Sequence, residues 1–413
     1  MIYNESKYNK DWNENKLSDL GVFSRGKSKH RPRNDERLFA GGKYPFIQTG
    51  DIKEANLYIK NHTQEYGEFG LKQSKLWNKG TLCITIAANI AETAILSYPA
   101  CFPDSVVGFN AYESQSSEIF MYYIFEYIKA SIQNAASGSI QDNINIDYLT
   151  TLNFKIPEKN YQDMIVALLG AIDKKIISNN DINDNLEQQA KLLYDYWFTQ
   201  FDFPDSNGKP YCSSGGQMKW NEELKRNIPI GWEVKRLGDL LTKNTDAFDY
   251  QSVQPAIDLS VMPSDSISLS QINTSENFAT NLFNMKTGDI LFGSIRPYLH
   301  KAGIAPCDGV VAGTVHSYRV KQHKDYNFAL ITMCRSQFFD YAVNVSSGTK
   351  MPVVSNDALL DYKVAYSHKV VKAFNQIVLQ QTITQAVMEN QSLTALRDWL
   401  LPMLMNGQAT ISD

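Results

Sequence analysis

No hydrophobic run in this chain is long enough to cross a bilayer. The most apolar stretch, Ile119 to Ile128 (IFMYYIFEYI), contains Glu126 and falls far short of the roughly 20 residues a spanning helix needs. The first twenty residues, MIYNESKYNKDWNENKLSDL, are polar and acidic, which excludes a signal peptide there. Cysteines are few. Cys83, Cys101, Cys212, Cys307 and Cys334 are scattered and never spaced as C-x-x-C, so they form neither a disulfide framework nor a zinc site and read as reduced thiols. A soluble, cytoplasmic protein is expected. No sign of charge dominates either: 40 Lys and Arg against 44 Asp and Glu leave −4, so a nucleic-acid partner would have to be met by local patches. Phosphate-binding and catalytic signatures are missing as well. There is no G-x-G-x-x-G, G-x-x-x-x-G-K-S/T, H-E-x-x-H or G-x-S-x-G. No two prolines are adjacent, which removes the tetrapeptide of amino-methyltransferases, and the six histidines lack metal-ligand spacing.

What is present is size and repetition. A chain of 413 residues, 43% hydrophobic and 12% aromatic, suits two to three domains. DWNENKLSDL (11–20) returns as GWEVKRLGDL (231–240), matching Trp12 with Trp232, Leu17 with Leu237 and Asp19-Leu20 with Asp239-Leu240. ASGSIQDNINIDYLTTLNFKI (136–156) returns as SSGTKMPVVSNDALLDYKVAY (346–366), pairing Ser137-Gly138 with Ser347-Gly348. Further on, Ile172, Ile176, Asn183, Leu186 and Leu193 match Leu379, Ile383, Asn390, Leu393 and Leu400. Three matches in one order indicate a tandem duplication of a lobe followed by a long helix.

Within each lobe, short apolar runs bounded by turn residues read as strands: 44–48, 80–87 and 151–157, then 288–295, 315–320 and 361–366. Segments 118–132 and 328–343 carry apolar residues at three- and four-residue steps and read as helices. From Lys159 to Thr199 the steps alternate four and three through Ile165, Leu169, Ile172, Ile176, Asn179, Asn183, Leu186, Ala190, Leu193 and Trp197. That is a heptad seam on a helix about 60 Å long. The second copy, 369–405, repeats the seam with Arg397 as a departure. The two helices are expected to pair antiparallel; the alternative is that each packs on its own lobe. The fold class is α+β: two pseudo-repeated α/β lobes separated by a pair of long antiparallel coiled-coil helices. The divisions are lobe 1–158, helix 159–200, a turn-rich linker without a core at 201–219, lobe 220–368, helix 369–405 and tail 406–413. The aromatic group Tyr194 to Phe203 reads as core where helix meets linker, with part of it open to a partner.

Three features bear on chemistry. SRGKSKHRPRNDER (24–37) carries Arg25, Lys27, Lys29, Arg31, Arg33 and Arg37 against two acids. Such a loop suits phosphates and base edges or is simply solvated. In the second lobe the basic signal is GSIRPYLHK, with Arg296, Tyr298, His300 and Lys301, so the two lobes would read different sequences. The paired loops at Ser137-Gly138 and at Ser347-Gly348 with Lys350 offer hydroxyls and a close backbone approach to phosphate; a plain tight turn is the alternative. Finally, Asp205 with Glu223 and Lys225 fits the loose PD…ExK pattern of metal-dependent nucleases, out of structural context.

The strings KLLYDYWFTQFDFPDSNGKPYCSSGG, WNEELKRNIPIGWEVKRLGDL, WNKGTLCIT and MKTGDILFGSIRP, set in this lobe–helix repeat, resemble the specificity (S) subunit of Type I restriction-modification systems across essentially the whole chain. The resemblance implies a non-catalytic subunit whose two target-recognition domains each read half of a bipartite double-stranded DNA sequence, with the helices as a ruler. It implies two methyltransferase (M) subunits bringing S-adenosylmethionine, and restriction (R) subunits using ATP and Mg2+, with no cofactor or metal in this chain. The related alternative is the specificity half of a Type II-like system. Outside that class stand the nuclease of the PD…ExK pattern and a coiled-coil scaffold.

Overall fold

A computed structural model describes residues 2–137, 144, 146–250, 252–278, 281–377 and 379–411. The chain forms two compact units, one of residues 1–177 with 393–413 and the other of residues 178–392. Among the described residues no helix is long and apolar enough to cross a membrane.

In the first unit, strands Gly21–Arg25, Val106–Ala111, Leu82–Thr85, Thr93–Leu96 and Tyr58–Ile59 form one sheet in that order. Successive side chains of a strand face opposite ways, and here both faces are covered. Leu82, Ile84, Ile95 and Phe109 join the core with helix Glu118–Ser137, while Cys83, Ala94, Leu96 and Val106 pack with Ile47, Trp77 and Phe102. That double burial is why these strands read as unbroken apolar runs. In the second unit, Leu241–Lys243, Val315–Val320, Ile290–Gly293 and Ala302–Ile304 form a sheet whose order repeats the first four strands of the first unit. A further sheet adds Asn273–Thr274, Pro255–Ile257, Gly309–Ala312 and Leu282–Met285.

The duplication holds to the register. Asn13–Lys16 pairs with Asn153–Ile156 so that Lys16 faces Asn153, and Glu233–Arg236 pairs with Lys363–Tyr366 so that Arg236 faces Lys363. In both copies the next leucine donates its backbone N–H across the junction, Leu17 to Leu152 and Leu237 to Tyr362. In both, an aspartate caps the turn, Asp19 accepting from Lys16 N and Asp239 from Arg236 N.

The first long helix runs Lys159–Tyr194 and ends in a π-turn at Asp195–Thr199. None of its ten seam positions is exposed. In the first unit Ile165 and Leu169 share a core with Leu401, Leu404 and Met405 of the second long helix. In the second unit Ala190 and Tyr194 share one with Leu379, Ile383 and Val387. Residue pairs run in opposite directions along the two helices: Asp173 meets Arg397 at 3.0 Å in the first unit, and Asn179 meets Asn390 at 2.9 Å in the second. The helices are antiparallel, and each also packs on globular core.

Three local expectations are corrected. The helix expected from 369 is two, His368–Phe374 and Gln380–Met405. The break is pinned by Asn327, whose side chain donates to Ile377 O and whose N–H reaches Asn375 Oδ1. The helix expected over 328–343 is likewise two, Tyr326–Met333 and Ser336–Asn344. Arg335 between them is extended and reaches Asp195 at 2.5 Å. The 201–219 segment has a core contact after all: Phe203 stacks on Tyr211 and lies against Trp232, while Asp202 accepts from Ser213. NEELKR supplies the turn of a hairpin, Met218–Asn221 with Arg226–Pro229.

Candidate nucleic-acid interface

In the first unit the basic loop leaves strand Gly21–Arg25 and is fastened at its base. Gly26 N donates to Val106 O, Lys27 N to Phe102 O and Lys29 N to Gln73 O. Its six cations then divide. Arg31 donates to Ser28 O and His30 O, and Arg33 reaches Asp104 at 2.6 Å with Arg31 3.6 Å from the same carboxylate. Arg37 grips Asp35, which His30 also reaches at 2.7 Å. Those bonds to Arg37 and His30 hold the Asp35 carboxyl far below the usual range. Arg25, Lys27 and Lys29 have no carboxylate partner among the described residues, and Arg25 and Lys29 are exposed. The loop is thus built by three of its arginines and leaves its other three cations without an acidic partner among the described residues. Beside it opens a concavity of about 990 Å³, lined among others by Arg33, Asn34, Glu36, Gln48, Gln64 and Tyr66.

In the second unit two segments far apart in sequence meet. Ile295 bridges Val353, Arg296 N donates to Pro352 O, and Val354 N donates to Ser294 O. This sets the Arg296 loop against the Ser347–Lys350 loop, itself closed by reciprocal bonds between Ser347 and Val353. Gly348 sits at φ +96°, where a side chain would be strained and would also press on Met351 O at 3.2 Å. Arg296 and Lys350 are exposed, as is Tyr298 at 51%, and neither cation has an ionic partner among the described residues. Two other residues of this group serve the fold. His300 stacks on Phe339 at 4.5 Å and bonds Asp265 at 2.7 Å, and Lys301 donates to Leu259 O at 2.6 Å. In the first unit Ser137 is the last residue of its helix, and Gly138 lies outside the described residues.

The nuclease trio is not assembled. Asp205 accepts from Asn207 N and Lys209 N, Glu223 pairs with Lys363 at 2.8 Å, and Lys225 pairs with Glu222. No group of His, Cys, Asp or Glu among the described residues is placed to hold a metal.

The family profile "Type I restriction modification DNA specificity domain" matches residues 9–188, the first lobe and most of the first long helix. The chain is 28% identical over 237 residues to the Type I restriction enzyme MjaIX specificity subunit of Methanocaldococcus jannaschii, covering 56% of this chain and 52% of that one. It is 27% identical over 205 residues to the HindI specificity subunit of Haemophilus influenzae, covering 46% and 42%. The EcoDI specificity subunit of Escherichia coli matches at 21% identity over 93% of this chain and 86% of its own length. The chain is similar over residues 9–188 to the Type I restriction modification DNA specificity domain and, over stretches of different length, to these specificity subunits. Its match spans about half the length of the first two of these specificity subunits. The fold of the whole chain is that of the crystal structure of a Type I restriction-modification S subunit from M. genitalium, with a TM-score of 0.57 at 16% identity and full coverage of both.

Two features of this site escape a reading of the sequence. One is Asp104, which clamps Arg31 and Arg33 from a turn some seventy residues away. The other is the contact between the Arg296 and Lys350 loops, which only the fold brings about.

Proposed function

We propose that this chain is the DNA-recognition subunit of a Type I restriction-modification enzyme, each globular lobe reading one half of a bipartite double-stranded target. The observation that carries this is the register-level repeat bearing unlike surfaces. Lys16–Asn153 and Arg236–Lys363 occupy equivalent places, yet one copy presents Arg25, Lys27 and Lys29 and the other Arg296, Tyr298 and Lys350. Unlike cationic loops on one framework suit a molecule that meets two different half-sites in the same way.

In this reading the chain does no chemistry. It directs methyltransferase subunits, which bring S-adenosylmethionine, and restriction subunits, which use ATP and Mg2+, and it works in the cytoplasm. The paired helices set the gap between half-sites. Ser137-Gly138 and Ser347-Gly348 contribute backbone approach to phosphate, with His300 and Lys301 shaping the loop that carries Arg296. The test is long-read methylome sequencing of cells with and without the gene. A bipartite methylated motif that vanishes with the gene is expected; an unchanged methylome overturns the proposal.

A further inference from the structure

The concavity beside the first unit's basic loop has a chemistry the free cations do not. Its floor includes Tyr66, buried and stacked on Phe46 at 4.1 Å with Phe39 at 5.4 Å, so it is stiff. Of its two charged lining residues, Arg33 is already held by Asp104, and Glu36 repels phosphate. What remains free is neutral. Asn34 and Gln64 both line the concavity, both are exposed, and neither side chain has a hydrogen-bond partner among the described residues.

Each sits on a fixed support. Asn34 lies between Arg33, tied to Asp104, and Asp35, which bonds His30 and Arg37. Gln64 opens strand Gln64–Tyr66 and pairs with Phe46. A carboxamide offers a donor and an acceptor side by side, the pattern that matches the N6 and N7 edge of adenine in the major groove. Cations serve phosphates without regard to sequence.

We propose that Asn34 and Gln64 are base-reading residues of the first unit, each recognising an adenine, while Arg25, Lys27 and Lys29 hold the backbone; this rests on the DNA-recognition reading above. The experiment compares methylomes of cells carrying the partner subunits with the wild-type chain, Asn34→Ala, Gln64→Ala or Gln64→Glu. An adenine in one half of the motif should become degenerate in each alanine variant, with the other half and the gap unchanged. Gln64→Glu should shift its position toward cytosine, whose N4 amino group a carboxylate accepts. Alanine variants that keep the wild-type motif at every position overturn the inference. Absence of any motif dependent on the wild-type gene overturns the DNA-recognition reading instead.

Where a variant methylates nothing, the purified complex is titrated with duplexes changed one base at a time in that half. The wild-type complex should lose on the order of ten- to a hundredfold in affinity at the read adenine. The variant should lose none there. An equal loss by both overturns the inference.

Discussion

Arg31 and Arg25 differ by six positions and have opposite duties. Arg31 is spent on Ser28 O, His30 O and Asp104, so Arg31→Ala should loosen the loop and raise its proteolytic sensitivity. Replacing Arg25, Lys27 and Lys29 together with Ala should leave the fold intact and flatten the salt dependence of DNA binding by the assembled enzyme. Each lost phosphate contact takes about 0.9 from the slope of log K against log salt, about 2.7 for all three; titration at several salt concentrations reads it.

Asp308 offers a pH test. Hydrogen bonds from Lys286, at 2.8 Å, and from Thr287 N lower its carboxyl from 3.8 to about 2. The unfolded chain therefore takes up this proton first. The contribution is whole above about pH 4 and lost as the pH falls toward 2. The side chain is 59% exposed, so solvent screening keeps the effect small. Urea titrations should show wild type more stable than Asp308→Asn at pH 6, the difference vanishing near pH 2.

At the scale of the element, the seam's departure has a partner. Arg397 looks like a fault in an apolar ladder, but Asp173, 5% exposed beside Ile172, accepts from it and from Tyr123 Oη at 2.6 Å. Asp173→Ala should cost about 2–4 kcal/mol in denaturant unfolding, because a largely buried guanidinium keeps only the exposed Asp398 and Tyr123 Oη loses its acceptor. Asp173→Leu with Arg397→Leu should recover most of that loss, since an apolar pair replaces a buried ion pair at little cost.

The same elements mark what the sequence discloses. The heptad spacing told which faces are buried, and the duplicated strings told which segments are equivalent, because both are local patterns repeated in order. The break after Phe374 and the split at Arg335 were not legible, since each is fixed by a residue distant in sequence, Asn327 or Asp195. Among the site residues, the loops were found by charge. Which of their cations are free depends on Asp104, Asp265 and the Leu259 carbonyl, and on no spacing.

At the scale of the whole molecule, both long helices belong partly to each unit, with the boundary at Ile177–Ser178 on one and Ser392–Leu393 on the other. An insertion there avoids Asn183, which donates to Ser268, and Glu187, which accepts from Ile267 N. One heptad added to each helix at these points lengthens both by about 10 Å and keeps the seam on its face. The methylated motif should keep its bases while its gap grows by up to about three base pairs at 3.4 Å each. An active insertion variant with an unaltered gap would show that the helices do not set it.

The return of residues 393–411 to the first unit has a further consequence. Asn4 donates to Met405 O, Ser6 to Asn406 O, and Tyr161 accepts from Ile411 N. The first unit thus completes its contacts only after 393–411 has been made, while residues 178–392 are contiguous and have their own partners sooner. A nascent chain stalled before Leu393 would carry a finished second unit behind an open first one, with Ile165 and Leu169 lacking their cover of Leu401 and Leu404.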